Sequence, residues 1–356
     1  NDQPQSETDT LTLIFLGVDH AADVADITAR LQSSNITFCG AVFPGLLDNG
    51  EVKTSGALVT CLRMSAAPTV ISLNTDAGVD AVTLPDLGPN HQGTGLVLFD
   101  ARARDAGHVL RGIFNEYANE SNYVGEGASN PLALDAPCLF CNEGAFAGAA
   151  VVAFVDEPSA IGIGHGFARF RGPYIATRTE GNDIVELNWE PAGALYRELL
   201  HEVAPDANTE DALLMAAKRH PFGLTRQDNE DIVRDPIEVP SDRVRCQGHI
   251  PENSIVHIMR AVDDELVDAS KNIFDGLDLT DVNGGRCVVF HCRSRLSVLA
   301  DRFTEEVDAV TRKAAEVVGS HGDVLAVLVH GEVGSTGDTL PQMHNKTVAV
   351  GLLRDV

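Results

Sequence analysis

Residues 287–318 read CVVFHCRSRLSVLADRFTEEVDAVTRKAAEVV. An apolar run, Cys287 to Phe290, stops at His291, Cys292, Arg293 and Arg295. Apolar residues then recur at helical spacing through Leu296, Leu299 and Phe303. This pattern is a strand feeding a helix, the first half of a β-α-β unit. Two more strand-like stretches follow, LAVLVHGEVGS at 325–335 and KTVAVGLL at 346–353.

The same order occurs twice upstream. Strand 95–102, helix 106–119, stretch 123–130 and strand 144–155 form one copy. Strand 11–18, helix 22–34, strand 36–45 and strand 55–62 form another. The later two copies share a turn signature, Gly125-Glu126-Gly127 with Ser129 against Gly331-Glu332 with Gly334 and Ser335. Three β-α-β-turn-β units are therefore expected, as an internal repeat of long and loose period.

Between the second and third copies the pattern changes. YIATRTEGNDIVELN at 174–188 alternates on both sides of the turn residues Glu180-Gly181-Asn182-Asp183, which predicts a β-hairpin. Pro191 opens a helix carrying Leu195, Tyr196, Leu199 and Leu200. Thr209, Glu210 and Asp211 start a second helix. DPIEVPSD, with prolines at 236 and 240, reads as a connector to a strand at 254–261 and a helix at 263–277. The expected fold is mixed α/β, with two related domains of largely antiparallel sheets covered by helices. A polar tail at 1–10 would precede a first domain at 11–190 and a second at 191–356.

The net charge of −26 disfavours nucleic acid and anionic membrane as partners. Only five of the 26 basic residues are lysine (Lys53, Lys218, Lys271, Lys313 and Lys346). An acidic surface poor in lysine is the composition expected of a halophilic, archaeal-type protein, since the Debye length falls to roughly 3 Å at 1 M salt. No 18-residue apolar run occurs, and NDQPQSETDT at 1–10 has neither a basic nor an apolar leader region. With seven cysteines, an odd number, a cytoplasmic setting without a disulfide framework is expected.

Residues 164–199 resemble the junction of FIST N and FIST C domains, where a G-H-G turn, a basic stretch, a hairpin and a P-A…Y helix start follow one another. CVVFHCRSR is similar to that family's C-x-x-R strand end through Cys292 and Arg295. HGEVGSTGDTLPQMHNKTVAVGLL resembles its closing strands through Gly331, Glu332, His344, Asn345 and Thr347. YVGEGAS stands at a glycine turn of the family but carries Glu126 in place of the second glycine. At 42–44, Val-Phe-Pro replaces the hydroxyl-bearing residues of many members. The resemblance implies a sensory, non-enzymatic module that binds a small molecule such as an amino acid and signals through a separate protein partner. Some relatives are similar to haem-binding nitric oxide sensors, and others sit on F-box proteins, so a haem sensor or a protein-recognition scaffold are the alternatives.

The expected ligand-binding set is Arg295, Cys292, Glu332, His344, Asn345, Gly331, Glu126 and His165. A guanidinium is the natural clamp for a carboxylate, which makes Arg295 the expected anchor. Glu332 would receive an ammonium, with His344 and Asn345 orienting the ligand; the alternative is a structural Arg295–Glu332 pair. Cys292 could be an activated nucleophile or a packed thiol, and neighbouring His291 would face away from it on a strand. CLFC at 138–141 has a zinc-like spacing but only one cysteine pair, so no metal is expected. His165, His257 and His344 are the histidines a haem would draw on, while His165 between glycines also suits a turn. No phosphate-cradling, dinucleotide or hydrolase motif occurs.

Overall fold

A computed structural model describes residues 10–73, 83–87, 91–103, 106–117, 121–133, 135–226, 230–335 and 340–355. All three repeats form as expected. In each, two parallel strands flank a helix: Thr10–Gly17 with Thr37–Phe43, Thr94–Asp100 with Asn122–Ala128, and Arg286–Cys292 with Asp323–Val329. A short hairpin follows, and a last strand returns antiparallel to the first: Ala57–Ser72, Ala149–Val155 and Val348–Leu353 respectively.

The hairpins are exchanged. Gly45–Asp48, from the first unit, pairs with Asp323–Val329 of the third. Leu139–Cys141, from the second, pairs with Thr37–Phe43 of the first. Glu332–Ser335, from the third, pairs with Asn122–Ala128 of the second. Each unit thus covers the open edge of the preceding one in a closed cycle, which removes three exposed strand edges at once. The strand Ala57–Ser72 also pairs with Ala149–Val155, and Ser159–Gly164 with Val348–Leu353. A single apolar core runs through all three units, with Phe15 5.1 Å from Phe43 and 6.1 Å from Phe290 between ring centroids.

This exchange explains the glycine signature differently from simple repetition. Gly125-Glu126 and Glu332-Val333 are neighbours across one antiparallel ladder, Glu332 opposite Glu126 and Val333 opposite Gly125. A Cβ at Gly125 would lie 2.0 Å from the Val97 carbonyl oxygen, so the backbones there leave no room for a side chain.

The segment between the second and third units closes into a six-stranded antiparallel barrel. Its order is Ala168–Glu180, Ile255–Arg260, Phe222–Leu224, Ile232–Glu238, Val244–Gln247 and Asp183–Leu187, and the last strand pairs back onto the first. The predicted hairpin turn is present, with Gly181 at φ 62°. Thr209 caps helix Glu210–Arg219 by accepting from Ala212 N. Half of the expected connector at 235–242 is instead strand, up to Glu238. Pro236 is tolerated because a register shift between Pro236 and Glu238 marks a bulge, where no ladder donor is needed.

The helix expected at 297–318 begins earlier and is broken. Helix Arg293–Leu299 ends where Ala300 takes φ 48°, and helix Phe303–Val318 follows after one tight turn. Among the described residues no helix is long and apolar enough to cross a membrane.

Candidate functional site

The break at Ala300 turns helix Arg293–Leu299 back toward helix Phe303–Val318, and Arg295 meets Glu306 between them. Both side chains are buried. Arg295 Nε donates to Glu306 Oε1 at 2.8 Å, and Nη2 reaches Glu306 Oε2. Nη1 donates to the carbonyls of His165 (2.8 Å) and Lys346 (2.7 Å), and Nη2 also to Leu266 O and Ser270 Oγ, each at 3.0 Å. Every face of the guanidinium is taken, so the expected ligand clamp is a structural hub. Its carboxylate is Glu306, not Glu332. Burial pushes the Glu306 carboxyl up, yet the Arg295 guanidinium and nearby His291 override it and hold it at about 2.

Several predicted residues do converge. Glu126, Glu332 and His344 stand opposite one another on three adjacent strands, Asn122–Ala128, Glu332–Ser335 and Gln342–His344. Gly331, at φ 111°, turns the chain into this row and accepts from Gly127 N through its carbonyl. The carboxyls are sealed in. Glu332 Oε2 accepts from Thr347 N and Oγ1, and burial pushes its carboxyl up to about 8. Glu126 is fully buried with neither oxygen hydrogen-bonded among the described residues, and burial raises it well above the usual carboxylate range. Among the described residues, neither carboxyl lines either cavity described below.

Asn345 ties the barrel to this row: its Oδ1 accepts from Asp235 N at 3.4 Å, and its Nδ2 donates to His344 O at 2.9 Å. Lys346 is buried beside it, 3.0 Å from Asp235 Oδ1 and donating to Ser294 Oγ. His165 is a turn residue. Its Nε2 lies 2.9 Å from Asp231 O and its Nδ1 accepts from Phe167 N at 2.8 Å, which occupies both ring nitrogens. That excludes His165 as an axial haem ligand. His257 Nδ1 lies 3.1 Å from Thr225 Oγ1, and burial, then Arg234, Arg226 and His165, hold His344 down at about 3. None of the three lines either cavity below, so these residues do not assemble a haem site there.

Two cavities lie where barrel and repeats meet. One, of about 300 Å³, is lined by Cys292, Arg293, Ser294 and His330 from the third unit and by Lys218, Asp235 and Gln247 from the barrel side. Burial pushes the Cys292 thiol well up, with the Glu332 and Asp235 carboxylates adding to it, which is the opposite of nucleophile activation. Iodoacetamide at neutral pH is therefore expected to label exposed Cys61 and to leave Cys292 unmodified in folded protein. Rapid labelling of Cys292, read by peptide mass spectrometry, would contradict its packed role.

The second cavity, of about 260 Å³, draws on three parts of the chain. Phe99, Gly107 and Arg111 come from the second unit, Asn182, Arg234 and Gln247 from the barrel, and Gln342 and Met343 from the third unit's hairpin. Arg234 is only 6% exposed. Its Nε donates to His249 O at 2.9 Å, and Nη1 to Met343 O at 2.9 Å and Val233 O at 3.2 Å. Nη2 makes no hydrogen bond, and no carboxylate pairs with the guanidinium, among the described residues. Burial pulls its pKa down to about 10, the mark of a cation lacking a counter-ion. Sequence reasoning missed Arg234 because its carbonyl partners stand 15 and 109 residues away. Lys346 did leave a signal, as one of five lysines in an arginine-rich chain.

Comparison with family models places this architecture. The FIST N domain matches residues 10–190 and the FIST C domain residues 192–324. The chain belongs to the FIST family, whose domains are associated with a sensory role in signal transduction. No curated protein matches it.

Proposed function

We propose that this chain is a sensory protein that binds a small carboxylate-bearing metabolite in the cavity at Arg234. The observation that carries the reading is a buried guanidinium, neutralised by no described carboxylate, on the wall of a cavity between barrel and repeats. A buried unpaired charge is costly, and a ligand anion is what would complete it. Arg234 also holds the hairpin through Met343 O, and next to it Gln247 Nε2 donates to His330 O at 2.7 Å. A ligand engaging Arg234 therefore bears on the contacts that fix the barrel against the repeats, and so favours one arrangement of them.

Thermal melts of wild type and Arg234→Gln in millimolar panels of small carboxylates test this. A ligand at a hundred times its Kd stabilises by about 2.7 kcal/mol, several degrees in Tm. At least one carboxylate is expected to raise the wild-type Tm and leave Arg234→Gln unmoved. Equal shifts in both proteins, or none in wild type across the panel, would overturn the reading.

Output would pass to a separate protein. The best-equipped surface is on the outer barrel, where Trp189 is 75% exposed and Ile175 and Ile255, themselves exposed, stand opposite each other. Trp189 is the chain's only tryptophan. Its emission should shift to the blue when the partner docks, and binding without a shift would move the surface elsewhere.

A further inference from the structure

We infer that Cys39 and Cys141 are a redox-sensitive pair, forming a reversible disulfide that staples the second unit's hairpin to the first unit. The ladder between Thr37–Phe43 and Leu139–Cys141 sets Cys39 directly opposite Cys141. Three residues along the same register, Val42 N donates to Cys138 O at 2.9 Å. Hydrogen-bonded and non-hydrogen-bonded pairs alternate along an antiparallel ladder, so Cys39 and Cys141 are a non-hydrogen-bonded pair. Such residues have Cα atoms about 4.5 Å apart with side chains on one face. A disulfide bridges Cα atoms about 4.4–6.8 Å apart. Both thiols are free and buried, and Cys141 is near enough to add to the burial that pushes the Cys39 thiol up.

The CLFC stretch at 138–141 does not pair within itself. Three residues apart, Cys138 and Cys141 face opposite sides of a regular strand, and the charged neighbours of Cys138 are Asp100 and Arg102. The remaining buried thiols have no cysteine across the ladder: Cys246 stands opposite Pro236, Cys287 opposite Val324 and Leu352, and Cys292 opposite Val329.

Access is from the sheet edge. Leu139–Cys141 and Gly144–Phe146 are three-residue strands at the end of the ten-stranded sheet, and Glu143 in the turn between them is exposed. Burial pushes the Cys141 thiol up, while the Glu143 N–H, 3.4 Å from its Sγ, and the Gly144 N–H oppose this by favouring the thiolate. Cys141 is therefore the thiol that attacks first. With a small disulfide as the oxidant, the Cys141 thiolate bonds to one of its sulfurs, the oxidant's S–S bond breaks and one thiolate leaves. Cys39, giving up its proton, then attacks Cys141 Sγ and expels the second thiolate. Two protein thiols are oxidised, one small disulfide is reduced, and the two protons end on the two released thiols. The new bond closes one of the three seams at which the repeats exchange hairpins.

Peptide mass spectrometry of the whole chain tests the inference. Cys61→Ser removes the exposed thiol and leaves the six buried ones. This protein is equilibrated with oxidised glutathione, alkylated in denaturant and digested. A linked Cys39–Cys141 peptide is expected from most chains, with the other four thiols alkylated and dithiothreitol restoring all six. Tm should rise by several degrees on oxidation and return on reduction. Adding Cys39→Val should abolish both the link and the rise and leave glutathione on Cys141. Cys39 and Cys141 both still reduced at equilibrium in Cys61→Ser, or a link through Cys138 instead, would overturn the inference. So would a Cys39–Cys141 link that leaves Tm unchanged, since the bond would then staple nothing.

Discussion

Replacing Arg295 by methionine is expected to cost about 3–5 kcal/mol of unfolding free energy, the typical price of stranding a buried charge. The charge left behind is Glu306, which would lose its two-pronged partner while remaining sealed between helices Asp263–Lys271 and Phe303–Val318. The His165 and Lys346 carbonyls would lose their common donor as well. Adding Glu306→Leu should restore much of the loss, because an apolar pair of similar volume carries no desolvation cost.

The sign of the pH dependence gives a second readout. In wild type the Glu306 pKa is held at about 2, below its unfolded value. Its stabilisation is therefore complete above the unfolded pKa and is lost as pH falls toward 2. In Arg295→Met the guanidinium that opposes burial at Glu306 is gone, so the variant should instead weaken as pH rises above the usual carboxylate range. Urea unfolding at several pH values measures both effects. A loss below about 1 kcal/mol would show that Arg295 is not the hub described.

Glu332 is expected to act in the opposite direction. Its folded pKa is raised to about 8, so its neutral form is the one the fold accommodates. Its contribution is fully present below the unfolded pKa and is lost as pH rises through about 8. Glu332→Gln keeps the shape without the titration and should flatten the stability profile between pH 5 and 8, with an advantage on the order of 4 kcal/mol at the alkaline end. Glu126→Gln, opposite it on the ladder, should act in the same sense. Parallel profiles for Glu332→Gln and wild type would mean that Glu332 is ionised in the fold.

Local signals in the sequence were reliable. The strand at 287–292, the turn at Gly181 and the cap at Thr209 all depend on residues within a few positions of one another, and each forms as read. The three repeats were legible for the same reason, since each is one supersecondary unit. Their exchange of hairpins was not, because pairing 45–48 with 323–329 leaves no trace at either segment.

The site divides in the same way. Glu126, Glu332 and His344 do fall in one row, but through the same unread exchange of hairpins, which sets Glu332 opposite Glu126. Arg295 was read as a ligand clamp, with a pair to Glu332 as the alternative; its actual partner Glu306 lies 11 residues on, beyond a helix break that no glycine or proline announces. Arg234 went unread because no strand was expected at 232–238 and its carbonyl partners His249 and Met343 lie far along the chain.

The most direct test of the ligand site is mass spectrometry of small molecules released from purified wild-type and Arg234→Gln protein. An anion released in near-equal amount to wild-type chain, and missing from the variant, is the predicted result. Haem or a cationic molecule from wild type, or the same anion in equal amount from both proteins, would contradict it.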